Sequence, residues 1–337
     1  MHGWLILDKP VGLGSTQAVG AVKRALREGG FGKAKVGHGG TLDPLASGVL
    51  PIAVGEATKL SGRMLDADKA YDFTIRFGVE TDTLDAEGQV AAESEVRPTI
   101  GQVEAVLPRF TGPIRQMPPA FSALKVDGRR AYDLARAGEE VVLAERAVTI
   151  HALSILSRSG RGTARAAGGG ASSPPDELPG EPPLHQPSAG PPPRAGEELH
   201  DITLSALVSK GTYIRSLARD IAYALGTVGH VTMLRRTKAG PFTLARAITL
   251  DNLRQSAKGA PLQALFLPLT AGLDDIPALP VSPEQALALR QGRQLAGIAA
   301  SPGLHLACLG SEPIALVEVG ETMKVVRGFN PMSEKNA

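Results

Sequence analysis

The residues Gly37–Gly55, GHGGTLDPLASGVLPIAVG, place one histidine, His38, and one carboxylate, Asp43, among five glycines and two prolines. So many turn-formers in so short a run force the backbone to fold back on itself. Asp43, directly before Pro44, has two readings. Asp-Pro is a common turn starter, and a lone carboxylate held in a glycine-rich turn is also a candidate for catalysis. Phosphate cradling fails, because a P-loop needs a lysine and a hydroxyl after its last glycine and this run has neither. No metal site is expected, since His38 and Asp43 bring no second histidine at helical spacing.

A second concentration of chemistry lies between Ser205 and Arg246. Lys210, Arg215, Arg219, Arg235, Arg236, Lys238 and Arg246 face a single acid, Asp220. Gathered on one surface they would bind phosphates; otherwise they form a solvated helix face and an exposed turn. The chain as a whole carries 36 Lys+Arg against 34 Asp+Glu, a net charge of +2, so any affinity for nucleic acid must be local. Aromatic residues make up only 4%, which argues against a platform that stacks several bases. The lone Cys308 excludes an intramolecular disulfide framework and a cysteine-rich zinc or iron-sulfur site, and it fits the cytosol.

At ~150 residues per domain, 337 residues suggest two domains. Ser15 or Thr16 can cap a helix with Val19, Val22 and Leu26 on one face, ending near Gly29 and Gly30. Tyr71, Phe73, Ile75 and Phe77 alternate with polar residues as a half-buried strand. Ile214, Leu217, Ile221 and Leu225 form a helical stripe with Arg215 on another face. Residues 160–196 hold nine prolines and eight glycines, a composition that cannot bury enough apolar surface to fold, so this reads as a disordered insertion. Its flanks, Ala147–Leu156 and His200–Ser209, read as strands that pair with each other. Near the C-terminus Ser282, Pro283 and Gln285 start a short helix, followed by strand-like runs Gly303–Leu309, Ile314–Val319 and Met323–Val326. No stretch reads as a secretory signal or a membrane span, so no membrane role is expected.

The string GHGGTLDPLASGVLPIAVGEATKL resembles the signature of the pseudouridine synthases that modify uridine 55 in the T-loop of tRNA. Other stretches match that family in order: LDKPVGLGST from Leu7, DKAYDFTIRFGVETDTLDAEG from Asp68, PPAFSALKVDGRRAYDLAR from Pro118, SKGTYIRSLARDI from Ser209 and LRRTKAGPF from Leu234. The resemblance implies an α+β fold, a mixed and mainly antiparallel sheet flanked by helices. Residues 1–270 would be the catalytic domain, and 276–330 a small β-rich domain of the PUA type that binds RNA. It also implies roles. Asp43 is the nucleophile, and Arg215 is its charge partner. His38 positions the flipped nucleotide, Tyr71 stacks on the target base, and Tyr213, Leu234 and Asp85 line the uracil pocket. Lys9 and Pro10 support the shape of the site. No cofactor or metal is needed, the partner is the T-arm and T-loop of tRNA, and the enzyme is expected to act as a monomer without an obligatory protein partner. Gly39 and Gly14 stand where hydroxyl residues are common in the family, which would loosen the loop and a helix start.

Two other readings compete. One is the catalytic subunit of a guide-RNA-dependent pseudouridylating particle, which shares the aspartate motif but carries extended basic tails that this sequence lacks. The other is a non-catalytic RNA-binding protein on the same scaffold, against which the intact Asp43, Tyr71 and Arg215 argue.

Overall fold

A computed structural model describes residues 1–330 except 123, 127, 140, 157–196 and 259–261. Among the described residues the main sheet has nine strands, in the order Gly3–Lys9, Ser47–Val54, Gly229–Ala239, Lys69–Phe77, Asp201–Val208, Arg146–Ile155 and Gly112–Gln116, with two short strands off that path. The alternation that marked Tyr71–Phe77 as a strand reflects one-sided burial: Phe73, Ile75 and Phe77 are at most 1% exposed. The strands expected to flank the 160–196 insertion do pair, antiparallel, Leu153 opposite Ala206. The insertion itself lies outside the described residues.

One pairing in this sheet is parallel, Ser47–Val54 beside Gly229–Ala239, through Arg235 opposite Ser47 and Arg236 opposite Gly48. Gly48, at φ +103, makes it possible: a Cβ there would collide with the backbone of Arg236. This close approach brings Arg236 against the Asp43 loop.

Helices cover the sheet because their apolar stripes have nowhere else to go. Ser15–Glu28 buries Ala18, Val22 and Leu26 against Leu5, Leu7, Leu50 and Ile52. Ile214–Ala224 buries Leu217, Ala218 and Ile221 against Phe73, Ile75 and Leu204. Tyr71 and Leu234 pack against both of these cores and so stand at their seam. The first helix differs from expectation at its start. Its N-cap is Gly14, whose N–H donates to Gln17 Oε1 at 2.8 Å, and Ser15 is already helical and buried. The serine hydroxyl is engaged elsewhere, with the backbone of Leu42 in the Asp43 loop.

The C-terminal segment starts its helix Pro283–Arg290 as anticipated, with Ser282 Oγ accepting from Gln285 N–H at 3.2 Å and Gln285 Oε1 accepting from Ser282 N–H at 2.9 Å. A separate five-stranded sheet follows the order Ala278–Pro280, Gly303–Leu309, Glu312–Val319, Thr322–Gly328 and Leu295–Ala296. It is docked on the main body: Leu306, Leu316 and Phe329 share a core with Trp4, Ile6 and Val49, and Asn330 donates twice to the Glu56 carboxylate. Among the described residues no helix is long and apolar enough to cross a membrane.

Candidate active site

The loop Gly40–Pro44 is tied down carbonyl by carbonyl. Arg236, 1% exposed, donates from Nη2 to Gly40 O at 3.2 Å, from Nη1 to Thr41 O at 3.1 Å and from Nε to Val49 O at 2.8 Å. Ser15 Oγ donates to Leu42 O and accepts from Leu42 N–H, both at 2.9 Å. Asp43 O accepts from Ala46 N–H at 3.1 Å, closing a turn. Pro44 O accepts from Gly12 N–H at 2.8 Å and from Lys9 Nζ at 3.2 Å. Asp43 therefore does open a turn, and that turn fixes where its carboxylate points.

That carboxylate meets Arg215, with Oδ2 3.0 Å from Nη2. The same guanidinium holds Asp85, Oδ2 to Nη1 at 3.2 Å, and donates to Thr83 O at 2.8 Å and Phe121 O at 3.0 Å. Exposure separates the two acids: the Asp85 side chain is 10% exposed and that of Asp43 is 42%. Asp85 is further engaged through Oδ1 by Thr83 Oγ1 at 2.6 Å and Glu87 N–H at 3.1 Å. It is held as a strut, presented by a turn in which Leu84 adopts φ +61, a left-handed conformation uncommon for a residue with a side chain. Asp43 is the carboxylate that reaches solvent.

It does so in a cleft of about 300 Å³ lined by Asp43, Tyr71, Tyr213, Leu234, Arg215 and Arg236, among others. Tyr71 lies opposite Arg236 in the sheet register, and Leu234 is two residues away on the same strand. Tyr213 is fixed through its backbone, since Gln116 Oε1 accepts from its N–H at 2.8 Å and Gln116 Nε2 donates to its carbonyl at 3.1 Å. Burial pushes the Tyr213 phenol above its usual range. Lys9 is fully buried behind the loop, donating to Pro10 O, Leu13 O and Pro44 O, and burial lowers its ammonium to about 8 while Asp43 opposes the shift. Pro10 is exposed and contributes through its carbonyl.

His38 is not brought into this cleft. It lies on the short strand Val36–His38, opposite Ile52, and faces a separate concavity with Thr16, Lys35, Thr58 and Ser61. Burial and then the charge of Arg236 lower its pKa, so the imidazole is neutral at pH 7. Gly39 is not loose either: a Cβ there would stand 2.7 Å from Met64 Cβ, so the neighbouring methionine occupies the space a side chain would need.

The basic residues counted in the sequence do not form one free surface. Arg215 and Arg236 are buried, Arg235 pairs with Asp8 at 2.8 Å, Arg219 with Asp220 at 2.8 Å and Lys210 with Asp66 at 3.1 Å. Sequence reading also missed Ser15 as the clamp on Leu42. The only signal was its place at the first position of the helix, where the sequence suggests a cap. Ser15→Ala removes both bonds to Leu42 and leaves a buried N–H and C=O unpaired, which costs about 1–3 kcal/mol. We expect kcat to fall roughly tenfold with KM nearly unchanged, because the Asp43 loop loosens while the cleft walls stay. A kcat within twofold of wild type would show that the clamp is dispensable.

Compared with known proteins, the fold is that of the pseudouridine synthases. Over 98% of the chain it superposes on 85% of a chain from an H/ACA ribonucleoprotein bound to a substrate RNA containing 2'-deoxyuridine, with a TM-score of 0.64 at 23% identity. Within that class the sequence is specific. The family model for the N-terminal domain of TruB family pseudouridylate synthases matches residues 28–166, and that for the tRNA pseudouridylate synthase B C-terminal domain matches 215–274. The tRNA pseudouridine synthase B of Novosphingobium aromaticivorans is 58% identical over 98% of both chains, and that of Zymomonas mobilis subsp. mobilis 53% identical over 98% of this chain and 96% of the other. The chain belongs to the TruB family and is an isomerase.

Proposed function

We propose that this enzyme converts uridine 55 in the T-loop of tRNA to pseudouridine, with Asp43 as the nucleophile. The observation that carries the reading is the pairing of Asp43 with a buried Arg215, itself braced by Asp85, at an open cleft walled by Tyr71 and Leu234. The reaction breaks the N1–C1′ bond, turns the base in place and joins C5 to C1′, while C5 loses a proton and N1 gains one. Neither oxidant, phosphate energy nor metal enters that balance. The base must leave its stack to reach the carboxylate, and a folded loop with splayed bases lowers the cost of doing so.

In this reading Tyr71 stacks on the extruded uracil, Leu234 and Tyr213 confine its edges, and Arg215 holds the Asp43 carboxylate in place. Asp85 acts through Arg215. His38, in the adjoining concavity, contacts the nucleotides around the target rather than the target itself. The module at 276–330 adds a second RNA contact, and the enzyme works as a monomer with tRNA as its partner. Near-complete coverage by relatives named for tRNA supports this substrate over a guide-RNA particle. The test is to incubate purified protein with unmodified tRNA and map every modified position. Pseudouridine at position 55 alone is expected. Modification elsewhere, or none, would reject the assignment.

A further inference from the structure

Lys69 is a buried cation that the chemistry so far leaves without a task. It opens the strand Lys69–Phe77, is 8% exposed and lines the same cleft as Asp43. Its Nζ donates to Leu65 O and Ala67 O, each at 2.6 Å, at the end of the helix Ser61–Asp66. Capping a helix end accounts for two donors. An ammonium has three, and capping does not account for its place in the cleft wall.

The surroundings indicate an anion. Arg236 stands in the same wall, and burial and then this neighbouring charge lower the Lys69 ammonium to about 8. Two like charges at the edge of a partly dry cavity repel, and an anion entering between them relieves both. The acids nearest Lys69 do not fill that role. Asp66 and Asp68 are exposed, lie outside the cleft lining and face Lys210 at 3.1 Å and His151 at 3.3 Å. A pyrimidine nucleoside offers neutral carbonyls and hydroxyls; the anion that travels with it is its flanking phosphodiester.

We propose that Lys69, backed by Arg236, binds a non-bridging oxygen of a phosphodiester flanking the extruded uridine and so sets the sugar against Asp43. This rests on the reading of the cleft as a uridine site in RNA, and it assigns a positioning residue to that reaction.

The test uses the full enzyme and a synthetic T-arm hairpin in which one linkage at a time around the target is an uncharged methylphosphonate. Lys69→Met is expected to raise KM about tenfold, as loss of one charge-assisted contact would, with kcat changed far less, and Lys69→Arg to recover most of the loss. At one linkage the methylphosphonate costs the wild type a similar factor and costs Lys69→Met nothing more. The KM of the wild type rises above pH 8 as the ammonium loses its proton, whereas that of Lys69→Arg stays level. Asp66, Asp68, Lys210, His151 and Arg236 surround the site in both proteins, so a difference between the two profiles belongs to Lys69.

Equal methylphosphonate penalties in wild type and Lys69→Met at every linkage, or an unchanged KM in the folded variant, would overturn the proposal. If Lys69→Met does not fold, parallel pH profiles for wild type and Lys69→Arg do the same. An inert wild type on the unsubstituted hairpin counts against the uridine reading instead, and hairpin binding followed by fluorescence anisotropy then applies the same comparison without turnover.

Discussion

Asp43→Asn is expected to end pseudouridine formation, lowering kcat by at least ~10³-fold while tRNA binding persists. The substitution keeps the shape of the side chain, and an amide oxygen can still accept from Arg215. The Leu42 and Pro44 carbonyls that fix the turn are backbone groups and are not touched. What disappears is the negative charge at an oxygen that reaches the cleft. Tritium release from tRNA labelled at C5 of uridine measures the reaction, and filter binding measures the complex. Turnover within tenfold of wild type would end the nucleophile assignment, because Asp43 is the one acid lining the cleft among the described residues.

Arg215→Met is expected to damage both stability and rate. The guanidinium satisfies two carboxylates and two backbone carbonyls, and Asp85 is only 10% exposed. Removing one partner of a buried pair leaves its charge uncompensated, at a cost of about 3–5 kcal/mol, and an unbraced Asp43 loses roughly 10²-fold in kcat. Arg215→Lys should rescue little of either, since a single ammonium cannot reach acceptors arranged for a planar fork. A second variant separates the two effects: Arg215→Met with Asp85→Asn regains much of the melting temperature by removing the stranded charge, but not the turnover. Wild-type rate and melting temperature in Arg215→Met would mean that the guanidinium neither braces the fold nor the nucleophile.

These two residues were visible in the sequence for different reasons. Asp43 stood out because glycines and prolines around a lone acid leave the chain few conformations, and a string that resembles a family signature named its task. Arg215 lies on a helix whose apolar stripe is regular, so its own off-stripe position could be seen. Its burial could not, because the acids that enclose it come from loops at Asp43 and Asp85. Strand and helix periodicity was legible wherever one face is buried, as in Phe73, Ile75 and Phe77.

Ser15, Arg236 and Lys69 were not legible as parts of the site. Their partners are backbone carbonyls, which every residue carries and no motif records. Counting arginines and lysines therefore suggested more free positive surface than the fold leaves, since Arg236 and Arg215 point inward. The family resemblance gives His38 the task of positioning the flipped nucleotide, in the same motif as Asp43. Gly40, at φ +128, turns the backbone between them, and the two residues face different concavities.

The bonds from Arg236 to Gly40 and Thr41 span 196 and 195 positions. On the ribosome the loop thus emerges long before the side chain that will hold it, and for most of translation the nascent chain carries an unfinished site. Contacts of such separation form late in folding. The enzyme gains its activity only as synthesis passes the strand Gly229–Ala239, and a prematurely terminated product lacking that strand is born inert.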